Sequence, residues 1–334
     1  MLTPTKSWQS TETHYKVALN SKWYRTLVKL QTTFVIATIE FYKDKGYDFA
    51  LLPITTGAIS SPMGLGSDSS PVKVNIEGID TYLADSMQFM LEYACRIAGN
   101  GTYYLAPSFR GEKADERHLC QFYHSEAEIL GRLEDVIAFV EDYIKFLIQR
   151  FLEYDKEEIL LISGTTHHLE EFLNLKTINR ITFEEAAQIL DKDEYIKDHG
   201  EYRTITSEGE KELMKKFGGF VWTTHFDHLS VPFYQKFADN EKKTALNADL
   251  LMGIGETVGS GERHLTRLET EKALDYHQVS RGSYKWYLDM KEIQEVQTSG
   301  FGLGVERFFL WLLKQEDIRD MQLVPRFNGQ KEVL

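Results

Sequence analysis

The residues best placed by type and spacing to do chemistry fall into three groups. Between Leu119 and Ile129, Phe122, His124, Glu126 and Glu128 recur at every second position, and on an extended strand that spacing sends all four side chains to one face. By the same parity Arg110 and Glu112 share a face on the strand before, the two strands forming a long antiparallel hairpin around the charged loop 111–117. Such a hairpin offers a cation, carboxylates and a flat aromatic together. That surface suits a nucleotide: an arginine fork clamps a phosphate, a ring stacks on a base, and a carboxylate accepts an amine proton. A solvated hairpin of alternating charges is the competing reading.

The second group is Asp249 and Glu256, on either side of Gly253-Ile254-Gly255. A turn there would fold two carboxylates toward one hard cation, and Mg2+ bound to phosphates is the natural candidate, although such spacing is also common by chance. The third is Gly300-Phe301-Gly302-Leu303-Gly304-Val305-Glu306-Arg307, which reads as a glycine-rich turn at the entrance of an apolar helix. Its glycines would let a ligand approach the backbone, but no Gly-Lys-Ser or Gly-Lys-Thr of a phosphate-cradling loop follows. The helix from Phe308 to Leu313 is apolar all round and belongs in a core, which leaves Arg307 to find a partner or a ligand. His167 and His168 are adjacent, so their rings diverge and an incidental surface pair outweighs a metal site. Serine and cysteine nucleophile signatures are absent. Tyr284, Trp286 and Tyr287 read as core.

Two long amphipathic helices must carry these groups. Trp23, Leu27, Leu30, Phe34, Ala37 and Phe41 paint one helix face that Gly46 terminates, and Val136, Val140, Tyr143, Leu147 and Phe151 paint another after Gly131. From 155 to 218 the chain turns charged and helical, with capping boxes expected at Thr182/Glu185 and Ser207/Glu210 and a stop at Gly218, which reads as a peripheral helical insertion. Strands return around 220–224, 249–252 and 256–258. Helices and strands do not alternate regularly, so an α+β fold with a largely antiparallel sheet is expected rather than a doubly wound one.

Composition sets the outer limits. The chain has 334 residues, 42% of them hydrophobic, enough for a large core, and no run of about 18 apolar residues that would cross a bilayer. With no secretory pattern at its start, a cytoplasmic location is the default. Two cysteines, Cys95 and Cys120, exclude a disulfide framework. The formal charge of −13 opposes passive binding of nucleic acid.

Taken in order, the three groups resemble the signature motifs of class II aminoacyl-tRNA synthetases, most closely the asparaginyl and aspartyl branch, and the likeness spans nearly the whole chain. Lys45-Gly46-Tyr47 followed by Leu51-Leu52-Pro53 looks like motif one and implies a homodimer through the region around Pro53. Phe109-Arg110-Gly111-Glu112, Arg117-His118-Leu119 and Phe122 look like motif two. Gly304-Val305-Glu306-Arg307 looks like motif three. The resemblance implies a six-stranded antiparallel sheet with helices, and an ATP site of Arg110, Glu112, Arg117, His118, Phe122, Glu256 and Arg307. In that site Arg110 grips the α-phosphate, Phe122 stacks on adenine, Arg117 and His118 reach the γ-phosphate, and Asp249 and Glu256 hold Mg2+. Arg110 and Arg307 would stabilise the charge that spreads as the substrate carboxylate attacks the α-phosphate. The segment from Tyr82 to Glu92 resembles the lining of the amino-acid pocket. It implies Ser86, Gln88, Glu128 and Arg263 as amino-acid contacts, and Leu91 stands where aspartyl enzymes have a lysine, an asparaginyl trait.

The chain also departs from the pattern. The motif-one helix begins near Ser21, which leaves no room for the anticodon-binding barrel of this branch, so residues 1–334 are expected as one catalytic domain. The acidic loop after motif one is replaced by the segment from Ser60 to Ser69, and Glu262 stands where glutamine is usual. Activation is thus expected to be kept while the substrate end is remodelled. The expected activity is adenylation of aspartate, asparagine or a relative, with transfer to ammonia or another small amine. A compact paralogue that charges tRNA and a silent amino-acid- or tRNA-binding regulator are the alternatives.

Overall fold

The apolar steps from Trp23 to Phe41 close into a long helix, and everything else is layered on it. In the computed structural model, which describes residues 1–60, 70–241 and 243–331, a short helix α1 (His14–Ala18) leads into α2 (Lys22–Asp44). Ser21 caps α2 by accepting from the Trp23 amide, the N-cap geometry that serine favours. Gly46 ends the run at φ 74°, a conformation that costs glycine little. Strand β1 (Asp48–Phe49) follows, and then β2 (Thr55–Thr56), β3 (Val72–Ile76) and β4 (Ile79–Leu83) make a separate three-stranded sheet in the order β2-β4-β3. Helix α3 (Gln88–Ala98) precedes the hairpin of β5 (Thr102–Phe109) and β6 (Gln121–Leu130), and α4 (Leu133–Tyr154) is the second long amphipathic helix.

Residues 155–218 build more than a peripheral helical insertion. Helices α5 (Lys156–Ser163) and α6 (His167–Asn174) bury Ile159, Ile162, Leu169 and Phe172 in the main core. Strand β7 (Asn179–Thr182) joins the main sheet, and α7 (Phe183–Leu190), β8 (Ile196–Asp198), β9 (Arg203–Ile205) and α8 (Ser207–Lys216) pack beside it. The Thr182/Glu185 capping box forms. The Ser207/Glu210 box does not: Thr206 is the cap, accepting from the Gly209 amide, and Glu210 faces elsewhere.

The last third supplies β10 (Val221–Thr224), β11 (Asn247–Met252), β12 (Gly255–Glu262), α9 (Arg267–Tyr276), α10 (Lys285–Ile293), β13 (Thr298–Gly304) and α11 (Val305–Leu313). The main sheet has eight strands in the order β1-β5-β6-β13-β12-β11-β10-β7, not six. Its middle six are all antiparallel, and β1 and β7 add one parallel strand at each edge. The edge strands escape sequence detection because two to four residues carry almost no period. The glycine-rich stretch before α11 is also a strand, β13, in the heart of the sheet and not a turn. One face of the sheet is covered by α2, α4 and α11, with Phe34, Phe41, Tyr143, Phe301, Phe308 and Phe309 in one aromatic-rich core. The opposite face carries the polar row of β6. No helix among the described residues is long and apolar enough to cross a membrane.

Candidate active site

Alternation on β6 sorts its residues as expected. Ser125, Ala127 and Ile129 turn to the helices, while Phe122, His124, Glu126 and Glu128 line the open face. Phe122 and His124 meet edge to face at 4.8 Å, and His124 Nδ1 lies 2.8 Å from Ser108 Oγ and 3.0 Å from Glu126 Oε1. The floor beside this row is β13, where Gly300, Gly302 and Gly304 pair with Glu128, Glu126 and His124. A side chain at Gly300 would occupy the place of Glu128: its Cβ would sit 1.9 Å from Glu128 Oε2. Gly300 is therefore a space cut for Glu128, whereas a Cβ at Gly302 would stand 3.1 Å from Glu126 Oε1 and one at Gly304 would meet only Arg307, at 3.7 Å.

All seven residues expected to hold ATP line one cavity of about 560 Å³: Arg110, Glu112, Arg117, His118, Phe122, Glu256 and Arg307. Arg110 and Glu112 lie beyond the end of β5, in the loop, so strand parity is not what places them. The Arg110 guanidinium sits 5.3 Å from the centre of the Phe122 ring. Arg110 Nε and Arg117 Nε and Nη1 are buried without a hydrogen-bond partner, a costly state that an anionic ligand relieves. Arg307, at the start of α11, donates to the Glu256 carbonyl. Arg117 pairs with Glu210 of α8 at 2.9 Å, and His118 bonds Asp115 at 3.0 Å. Burial, with Glu256 close by, raises the Glu210 carboxyl, and burial pushes Glu306, which accepts from the Tyr123 amide, up to about 7.

Asp249 and Glu256 come together through an irregularity. Asp249 pairs with Gly259 and Leu250 with Val258, but Leu251 pairs with Glu256, so the register shifts between Leu250 and Leu251. Strict alternation would put Glu256 on the face opposite Gly259; the extra residue, Thr257, turns it back. A Cβ on Gly259 would lie 2.8 Å from Glu256 Oε1 and 3.7 Å from Asp249 Oδ1. Burial first, then the charges of Glu256 and Glu210, raises Asp249 well above the usual carboxylate range, and a divalent cation relieves that repulsion. Among the described residues no cluster of three or more His, Cys, Asp or Glu forms a closed metal site, so the pair suits an ion that draws further oxygen ligands from phosphates.

Next to this cavity the expected amino-acid contacts form a second group. Ser86 Oγ donates to Glu126 Oε2 at 2.6 Å and accepts from the Gln88 amide at 3.1 Å. Burial raises the Glu126 carboxyl, but the His124 ring and the hydroxyls of Ser86 and Tyr104 outweigh it and hold it below the ordinary value. Gln88 Nε2 donates to the buried Glu92, and Gln88 Oε1 is buried without a hydrogen-bond partner. Glu128 is spent on Arg263: Nε lies 3.1 Å from Oε1 and Nη2 3.0 Å from Oε2. Burial pushes Glu128 up to about 7 against the pull of Arg263.

Sequence reasoning passed over Gln235, read Glu210 only as a cap, and gave Glu306, Glu126 and His124 no role. Glu306 had a signal in its place beside Arg307, and the last two in the alternation along β6. Glu210 was disguised as a cap, and Gln235 lies between strands. Of the segment from Ser60 to Ser69, expected to be remodelled, residues 61–69 lie outside the described residues. His167 is exposed beside Glu171 while His168 Nε2 bonds the Leu312 carbonyl at 3.1 Å, so the two rings do diverge. Tyr284 and Tyr287 are buried, whereas Trp286 is 41% exposed.

Comparison with known proteins places these observations beside four matches. The family model described as tRNA synthetases class II (D, K and N) matches residues 9–328. The asparagine–tRNA ligase of Pyrococcus abyssi is 32% identical over 316 residues, which is 90% of this chain and 68% of that protein. That of Koribacter versatilis is 27% identical over 317 residues, 92% and 70% of the two chains. Among solved structures, asparaginyl-tRNA synthetase from Pyrococcus horikoshii complexed with asparaginyl-adenylate matches with a TM-score of 0.86 and 26% identity, covering 99% of this chain and 74% of that one.

Proposed function

Because the chain belongs to the class II tRNA synthetases of the aspartyl, lysyl and asparaginyl group, ATP-dependent ligases that form an aminoacyl-adenylate and release pyrophosphate, we propose that it activates asparagine or a close neutral analogue and transfers the acyl group to tRNA. The observation that carries this reading is the single cavity lined by three arginines and Phe122, set against the Ser86–Glu126 pair. The small-amine acceptor expected from the sequence gives way to tRNA because the relatives named are tRNA ligases.

In this reading Glu126, Ser86 and the unpartnered Gln88 Oε1 take the α-ammonium group, an arrangement of one anion and two acceptors. The substrate carboxylate then faces the cavity. One of its oxygens attacks the α-phosphorus, the bond to the bridging oxygen of the β-phosphate breaks, and pyrophosphate carries away both electrons and charge. Arg110 and Arg307 hold the equatorial oxygens where negative charge accumulates, and Arg117 and His118 hold the leaving group. Phe122 stacks on adenine. Asp249 and Glu256 would hold Mg2+, which supplies charge neutralisation on the phosphates. No protein nucleophile takes part.

The same proposal takes residues 1–334 as one catalytic domain, cytoplasmic, with 155–218 integral to its core and sheet, and two copies paired through the motif-one face. Val28, Val35, Ile36 and Ile39 are each more than a third exposed along one side of α2, an apolar stripe of the kind that subunits cover, and Leu51, near Pro53, is 93% exposed. The test is asparagine-dependent exchange of labelled pyrophosphate into ATP, followed by charging of tRNA with labelled asparagine. Exchange without charging in the presence of total tRNA would return the acceptor to a small amine; neither reaction with any amino acid would reject the proposal.

A further inference from the structure

Arg263 looks like the cation that meets the substrate side chain, yet its charge is already matched. Its Nε and Nη2 are committed to Glu128 at 3.0 to 3.3 Å, and Nη1 donates to Gln235 Oε1 at 3.1 Å. All three side chains are more than nine-tenths buried. Tyr234 closes the far side, its ring centre 5.1 Å from the guanidinium carbon.

The sheet is cut to fit this trio. Gly261 on β12 and Gly300 on β13 are direct register partners. A Cβ on Gly261 would lie 2.0 Å from Gln235 Oε1, and one on Gly300 would lie 1.9 Å from Glu128 Oε2. Two facing strands thus give up side chains at one level so that Gln235 and Glu128 can reach Arg263 from opposite sides. The backbone of Gln235 is pinned as well: its amide donates to the Pro232 carbonyl at 3.1 Å, and its carbonyl accepts from His228 Nε2 at 2.7 Å. With Oε1 committed to a guanidinium, the amide cannot flip without setting NH2 against N–H. Its Nε2 is the donor that remains.

We propose that Gln235 is a specificity-determining residue of the amino-acid pocket, its amide NH2 reading the side-chain carbonyl of a neutral, carboxamide-bearing amino acid in a site whose cation is already balanced. A carboxylate in the same place would bring a second anion beside Glu128 without a second cation, at a depth where water cannot screen the pair. A carboxamide adds no charge. It offers an acceptor to Gln235 and to the spare N–H of Arg263, and a donor to Glu128. This inference rests on the adenylate-forming reading, and it names the residue that would select the neutral side chain that reading assumes.

The test is calorimetric binding of asparagine and aspartate to the wild type, Gln235→Leu and Glu128→Gln, with amino-acid-dependent pyrophosphate exchange alongside. Wild type is expected to favour asparagine by about a hundredfold or more, as a site of committed polar groups does. Q235L keeps the volume but loses both the donor and the Oε1 that accepts from Arg263 Nη1: asparagine should weaken about tenfold, one hydrogen bond's worth, and aspartate should not weaken, since the freed Arg263 N–H can meet a carboxylate, while the KM for ATP stays as it was. E128Q unbalances Arg263 and should narrow the gap between the two amino acids by improving aspartate. Asparagine binding within twofold of wild type in Q235L, or a wild type that prefers aspartate, overturns the inference. Selective asparagine binding with no exchange would reject the adenylation reading and keep this one; binding of neither amino acid rejects both.

Discussion

Replacing Gly300 by alanine tests whether this glycine of β13 is a space cut for a side chain. The new Cβ would lie 1.9 Å from Glu128 Oε2, 2.6 Å from Arg263 Nη2 and 2.8 Å from the Ala127 carbonyl oxygen, where ordinary contact begins at 3.4 Å. The carboxylate must therefore retreat by about 1.5 Å, and Ala127 O, part of the neighbouring strand's ladder, cannot. Overpacking of this degree costs roughly 1–3 kcal/mol, and loss of the charge-assisted bonds to Arg263 adds roughly 1.5–3 kcal/mol. A loss of about 3–5 kcal/mol is expected, enough to move a urea midpoint by more than a molar unit at a typical slope of ~1–3 kcal/mol per molar. Gly302→Ala is the control on the same strand and the same face. Its Cβ would stand 3.1 Å from Glu126 Oε1, a conflict settled by a few tenths of an ångström and offset by the ~0.4–1 kcal/mol that alanine gains over glycine in the unfolded chain, so it should stay within about 1 kcal/mol of wild type. Urea titrations of the two variants side by side decide the matter. A G300A loss under 1 kcal/mol, or G302A as costly as G300A, refutes the reasoning whatever the protein's activity.

Arg307→Ala should lower the exchange rate by roughly 2–4 kcal/mol of transition-state stabilisation, on the scale of one lost electrostatic donor; single-turnover kinetics at saturating ATP check it, and an unchanged rate removes Arg307 from the chemistry. Asp249→Asn should gain stability, on the order of 1 kcal/mol in the absence of divalent cations, while losing Mg2+-dependent exchange. The sign follows from its raised value in the fold: the destabilisation is complete at pH above that value and is relieved as pH falls through it, so wild type should approach the variant on acidification, and parallel melting curves across pH would expose the idea if they do not converge. Ile36→Asp, on the exposed stripe of α2, should shift the sedimentation coefficient from dimer to monomer; no change removes that stripe from the subunit contact.

The sequence discloses the parts of this fold that repeat. Period 3.6 in Trp23 to Phe41 and in Val136 to Phe151 marks α2 and α4 to within a few residues, and period 2 in Phe122 to Glu128 marks the working face of β6. What stays hidden depends on singular events. β13 looks like a turn because glycines are usually turn residues, and only the acidic row across from it reveals Gly300 as a strand position that has no space for a side chain. Glu256 reaches Asp249 only through an extra residue on β12, and no local composition announces a bulge. Glu210 sits three residues after Ser207, as a capping glutamate would, but Thr206 takes the cap and sends Glu210 to Arg117. Gln235 lies in irregular chain, where side-chain direction has no period to follow. The residues expected to hold ATP were legible as a motif set and share one cavity, but Arg110 and Glu112 reach it from the loop after β5 and not by the strand parity first used for them.

The position of β13 also governs how such a chain can fold. β6 ends at Leu130, and its sheet partner does not begin until Thr298. On a ribosome adding ~5–20 residues per second, the hairpin of β5 and β6 therefore waits many seconds with its inner edge unpaired, and the β11–β12 hairpin waits beside it with another. Each is an open template for a neighbouring chain until the glycine strand slides between them. The glycines that make the site possible contribute little apolar surface to draw that strand in, so closure depends on Phe301 and Leu303 entering the helix-side core. Slow refolding, a late cooperative step and a need for chaperones during synthesis are the expected marks of a catalytic centre whose keystone arrives last.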